Sequence, residues 1–227
     1  METSALILVE NTYQSKNDYL CIRNYDINVF FNQIFQFRFL KSLILGGCNL
    51  RTIPPEIENL VNLKDLVLIE NHIQKLPDEF CKLVKLERLM LNTNELYDLP
   101  IKFGKLKKLK ELNLTFNRFE IFPIEICDLK KLECLHFMDN PITYITPEIK
   151  NLTNLLCFKL AGTNLEFIFY EFSELKNLAY LYLNQTNLTR LPSFLKKLKN
   201  LKIINISGTN CVVPNKIKKI KGLKIIL

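Results

Sequence analysis

Apolar residues recur at a fixed spacing along most of this chain. Leucine opens equivalent segments at Leu40, Leu63, Leu86, Leu109, Leu132, Leu155, Leu178 and Leu201, each 23 residues after the last. Every unit follows LxxLxLxxNxLxxLPxxIxxLxx. Over the seven units from 40 to 200, positions 1, 4, 6, 11, 14, 18 and 21 are apolar in all 49 cases. At 48% hydrophobic composition, chance gives that outcome with odds on the order of 10⁻¹⁶, so the spacing is structural.

Each unit predicts two elements. The LxLxL stretch has period 2, as a short strand with one apolar face requires. At position 9 the chain must turn, and Asn71, Asn94, Asn117 and Asn140 stand there. A short amide can bond the backbone groups of its own turn. Cys48, Thr163, Thr186 and Thr209 replace it elsewhere. Proline at position 15 (Pro54, Pro77, Pro100, Pro123 and Pro192) fixes φ and starts a short helical turn. Positions 18 and 21 then point that turn inward. One unit cannot bury seven apolar side chains alone, but a stack can.

The pattern resembles the leucine-rich-repeat family in its 23-residue form, as in Ras-suppressor, Scribble/Erbin and plant Ras-group-related proteins. Units 63–85, 86–108 and 109–131 carry the resemblance best. It implies an α/β solenoid with a curved parallel β-sheet on its concave face and short helical or 3-10 turns on its convex face. It also implies a non-catalytic scaffold or adaptor that binds another protein, in intracellular signalling. The expected layout is an N-terminal cap with a degenerate repeat (1–39), eight repeats (40–222) and a terminal strand without a distinct cap (223–227). In the cap, Leu20, Ile22, Tyr25, Ile27, Phe30, Ile34 and Phe37 take the repeat positions, and ALILVE (5–10) reads as one more strand. Unit eight is one residue short.

Positions 3, 5 and 7 of each strand face outward on the concave side. Two groups emerge as candidate partner-binding residues. Ile44, Val67, Ile69 and Met90 form an apolar patch beside Asp65, Arg88 and Glu111. Further along, His136, Lys159, Tyr180 and Tyr182 form an aromatic and polar patch. Contiguous exposed apolar groups mark contact surfaces, although β-propensity alone also favours Val, Ile and Tyr in strands.

Charge adds a second picture. The chain of 227 residues carries a formal +8. No Asp or Glu follows Glu174, so residues 175–227 hold +11, while the rest, with 20 basic and 23 acidic residues, carry −3. The alternative reading is therefore a repeat arm of a larger complex, docked by its basic end to an acidic protein, an anionic membrane or RNA. A lysine-rich bias that keeps loops soluble accounts for the same counts.

The remaining chemistry is sparse. Seven cysteines without CxxC spacing, and a start without a basic n-region, read as reduced thiols in the cytoplasm, with the nucleus as alternative. Cys134, His136 and Cys157 lie on neighbouring strands but supply only three ligands in no zinc spacing, so no metal is expected. No cofactor is expected either. GxSxG, HExxH, P-loop and GxGxxG motifs are absent, so no enzyme or small-molecule substrate is expected. No apolar run reaches transmembrane length.

Overall fold

The computed structural model describes residues 2–28 and 31–227. Ten parallel strands lie in sequence order in one open curved sheet. They are β1 (Tyr19–Arg23), β2 (Ser42–Gly46), β3 (Asp65–Val67), β4 (Arg88–Met90), β5 (Glu111–Asn113), β6 (Cys134–His136), β7 (Cys157–Lys159), β8 (Tyr180–Tyr182), β9 (Ile203–Asn205) and β10 (Lys224–Ile226). From β1 to β9 every strand pairs with the next at an offset of 23 residues, as with Asp65 on Arg88 and Cys134 on Cys157. The sequence period is thus the register of the sheet.

Short 3-10 turns return the chain along the convex side, for example Pro55–Asn59, Asp78–Lys82 and Ile124–Asp128. Pro54, Pro77 and Pro123 hold the extended residue before each turn. Position 18 then drives an apolar side chain inward, as with Ile57, Phe80 and Ile126. All 49 inward positions scored in the sequence are buried. Each large aliphatic side chain so removed from water contributes roughly 1.5–3 kcal/mol before entropy is counted. Phenylalanines fill the middle of the stack. Phe137 lies 5.2 Å from Phe119 and from Phe122, and Phe158 lies 5.8 Å from Phe172.

The asparagines do more than close their own turns. Asn117 Oδ1 accepts from the Leu96 N–H at 2.9 Å, and its Nδ2 donates to the Leu91 carbonyl at 3.0 Å. Both partners belong to the preceding repeat. Nδ2 also donates to the Leu114 and Thr115 carbonyls of its own turn. Asn71, Asn94 and Asn140 bond in the same way. The threonines do less. Thr163 and Thr186 donate only to Leu160 and Leu183, three residues back in their own repeats.

The tight bend itself falls one residue earlier, at position 8. That residue is left-handed in every repeat, from Asn24 to Gly208. Gly47, Gly162 and Gly208 have φ of 62 to 69°, while Asn24, Glu70, Thr93, Phe116, Asp139 and Gln185 have φ of 53 to 59°. Only three of these nine are glycine, so local sequence does not announce the bend.

The ends differ from expectation. Residues 5–10 are not a strand; they lie in helix α1 (Glu2–Ser15). Ala5, Val9 and Thr12 are buried at helical spacing, whereas Ile7, which would share a strand face with Ala5 and Val9, is exposed. A short apolar run fits either period, and packing against β1 selects the helix. Leu20, Ile22, Ile27, Ile34 and Phe37 are buried in the degenerate repeat and Tyr25 is partly so. Phe30, also assigned there, lies outside the described residues. At the other end Lys224 pairs with Ile203, an offset of 21, not the 22 of a unit one residue short. Gly222, at φ 79°, tightens the connection after helix α2 (Asn215–Lys218). The slip turns Leu223 and Ile225 toward the core and leaves Lys224 exposed.

Candidate functional site

Register decides which concave side chains are neighbours. In the N-terminal half, Asp65, Arg88 and Glu111 stand side by side on β3, β4 and β5. Arg88 Nη1 meets Asp65 at 3.0 Å and its Nε meets Glu111 at 3.2 Å. Ser42 Oγ donates to the other oxygen of Asp65 at 3.0 Å. These charges satisfy one another, so a partner would have to break the row to use them.

The apolar patch beside them is also partly self-covered. Val67 is not presented to solvent, contrary to expectation: it is only 5% exposed. Ile44 and Met90 flank it in register, and the curve of the sheet draws the three together. Ile69 leans over Gly46, where an added Cβ would stand 3.3 Å from it. Ile44, Ile69 and Met90 remain half-buried.

The C-terminal half is less committed. Tyr180 lies between Cys157 and Ile203, and Tyr182 between Lys159 and Asn205. The Lys159 ammonium sits 5.8 Å from the centre of the Tyr182 ring, within cation–π range. No carboxylate pairs with Lys159 among the described residues. Beside it in register is His136. Burial, then the Lys159 charge, holds the His136 imidazole below its ordinary 6.5, with Glu111 opposing. The unfolded chain therefore takes a proton that the folded chain resists. Stability should fall as pH drops through about 6.5 and level off below the folded value. Melting curves between pH 7.5 and 5 should show a shallower decline for His136→Gln than for the parent. Equal declines would remove His136 from the pH response.

Cys134 and Cys157 face each other on β6 and β7, with both thiols free. Burial pushes the Cys157 thiol up to about 11 and raises Cys134 as well. Such thiols stay protonated at neutral pH and are poor nucleophiles and ligands. Among the described residues no group of three His, Cys, Asp or Glu side chains is placed to hold a metal.

A second surface escaped the sequence reading. Positions 12 to 16 of four successive repeats carry Tyr97, Ile101, Ile121, Ile124, Tyr144, Phe167, Phe169 and Tyr170, all exposed. Ile101 is 86% exposed and Ile121 68%. Tyr97, Ile121, Ile124 and Tyr144 border a groove of about 710 Å³. The signal was present as bulky apolar residues at positions that neither the core nor the concave face explains.

Among the described residues, no helix is long and apolar enough to cross a membrane. A search of curated proteins gives no match. Family models do match. A leucine-rich repeat region covers residues 20–118, a single leucine-rich repeat 108–129, and a two-copy leucine-rich-repeat model 176–224. Solved structures agree. The leucine-rich-repeat domain of the type III effector XopL superposes with a TM-score of 0.87 at 22% identity, over 99% of this chain and 81% of that one. A leucine-rich-repeat protein of Leptospira interrogans gives 0.70 at 26% identity, over 96% and 68%. A chain of the PEPR1–AtPEP1 crystal structure gives 0.72 at 27%, over 83% of this chain but 28% of that one. Proteins of this fold commonly serve as binding modules, typically without catalysis. With its 23-residue register, its buried leucines and these matches, the chain belongs to the leucine-rich-repeat proteins.

Proposed function

We propose that this protein is a non-catalytic scaffold or adaptor that binds a protein partner in intracellular signalling, through the concave face of β6 to β9. The observation that carries the reading is the group Tyr180, Tyr182, Lys159 and Ile203, two register rows in which no side chain is tied up in an ion pair among the described residues. Tyrosines supply large contact area at little side-chain entropic cost, and such residues dominate interface energetics. The N-terminal group contributes less, because Asp65, Arg88 and Glu111 are already paired. The seven free thiols fit a reducing compartment, so the cytoplasm is the proposed location.

The test is affinity capture followed by amine cross-linking mass spectrometry. Lys159 should cross-link to the partner. Tyr180→Ala with Tyr182→Ala should weaken capture about tenfold or more and leave the melting temperature nearly unchanged. A parallel Ile121→Asp, Tyr144→Asp variant probes the exposed convex groove. If only that variant loses the partner, the concave reading is wrong and the groove is the interface.

A further inference from the structure

At the C-terminal end of the convex side, α2 packs on the 3-10 turn Ser193–Lys197. Fully buried Ile217 anchors it. The packing brings Lys216 of α2, and Lys219 and Lys221 just beyond it, round to Lys196 and Lys199. These five line a recess of about 770 Å³ whose only apolar lining residue is Ile220. Lys176 and Lys197 complete the wall but are engaged. Lys176 donates to the Ser173 carbonyl at 2.6 Å and pairs with Glu174, and Lys197 bonds the Tyr170 hydroxyl. No carboxylate lines the recess, and the sequence has none after Glu174.

Gathering like charges opposes folding unless something offsets it, and several lysines elsewhere are offset by carboxylates. Lys41 pairs with Asp18, Lys82 with Glu58 and Lys110 with Glu87. A general lysine excess would scatter its charges, whereas this end of the fold converges them on one hollow. A hollow walled by one sign of charge focuses its field on an anion. Lysine ammonium groups hold phosphate oxygens as point charges, from several directions at once.

We propose that this recess binds a multiply phosphorylated small ligand, as a free solute or as a lipid headgroup. Its volume matches small-molecule clefts, roughly 300–1,000 Å³. A nucleic acid strand would call for a track of charge with stacking platforms along it; here the lysines line a single recess with no aromatic residue in its wall. The site is separate from the concave tyrosines, so each proposal stands or falls alone.

Isothermal titration with inorganic tripolyphosphate tests it at about 10 mM salt, where the Debye length is about 30 Å. Saturable binding is expected, and Lys196→Gln, Lys199→Gln, Lys216→Gln, Lys219→Gln together should weaken it at least tenfold. The four are exposed, so circular-dichroism melting should be unchanged. A control with equal charge loss, Lys102→Gln, Lys105→Gln, Lys108→Gln, Lys131→Gln, should bind as the parent does. Flotation with phosphatidylinositol-bisphosphate vesicles separates the sources: co-flotation lost in the first variant assigns the headgroup, and its absence the free solute. No tripolyphosphate binding, or equal weakening in both variants, overturns the proposal. So does tighter binding of single-stranded RNA that survives the first variant.

Discussion

Leu112→Asp should unfold the middle of the solenoid. Leu112 is completely buried, and its register neighbours Leu89 and Leu135 are too. The substitution removes a leucine from a packed site, which costs about 2–5 kcal/mol. It also places a carboxyl group where no partner exists, adding several kcal/mol whether it stays charged or takes a proton. A domain of this size is stable by only about 5–15 kcal/mol. Far-ultraviolet circular dichroism and urea titration should show loss of the cooperative transition or a much lower midpoint. Asn113→Asp is the control one residue along the strand. Its side chain faces the concave side and accepts from the Thr115 N–H at 3.0 Å, which a carboxylate also does. It should cost under about 1 kcal/mol. Similar losses at 112 and 113 would mean that the strand does not alternate as described.

Asn117→Ala should be the next most damaging change. It removes four hydrogen bonds and orphans the Leu96 N–H in a buried turn, while the Leu91 carbonyl keeps the Asn94 amide as a donor. An orphaned buried donor costs about 1–3 kcal/mol and the other three lost bonds add to it, so a loss of about 3 kcal/mol is expected. That corresponds to a fall in melting temperature of about 6–12 °C. Asn117→Thr imitates Thr163 and Thr186, which keep the bond three residues back and give up those to the preceding repeat. It should fall between parent and alanine. A threonine variant as unstable as alanine would show that the local bond contributes nothing.

The core was legible because Leu112 and its equivalents recur with nothing at those positions to compete. The left-handed bend at position 8 was not, because Phe116 and Thr93 carry no turn signature and are held there by the repeats on either side. Residues 5–10 misled because the period of a short apolar run is ambiguous until a neighbour selects one face. Val67 was misplaced for a different reason: alternation gives the face of a strand, but only curvature and the size of Ile44 and Met90 decide whether that face is open. Among the proposed binding residues, Tyr180 and Tyr182 came from position alone, whereas the pairing of Arg88 with both Asp65 and Glu111 needed their rotamers. The excess of lysine after Glu174 was plain in the sequence. Its convergence was not, since α2 brings Lys216 and Lys219 against a turn some twenty residues earlier.

The buried asparagine ladder ends at Asn140, and that makes the rod mechanically uneven. From Cys48 to Asn140 each repeat is tied to its neighbour by a side-chain amide as well as by the sheet and the core. Beyond it the threonine hydroxyls reach only their own turns, and the side-chain amides that still cross between repeats, such as Asn177 to the Thr153 carbonyl and Asn200 to the Lys176 carbonyl, lie at the exposed loop edge. In a linear array, weaker coupling between neighbours lets a terminal block open or flex without carrying the rest with it. Tyr180 and Tyr182 sit on that block. The proposed tyrosine surface therefore rides on the third of the molecule that lacks the buried amide tie, where adjusting the curvature to a partner costs least.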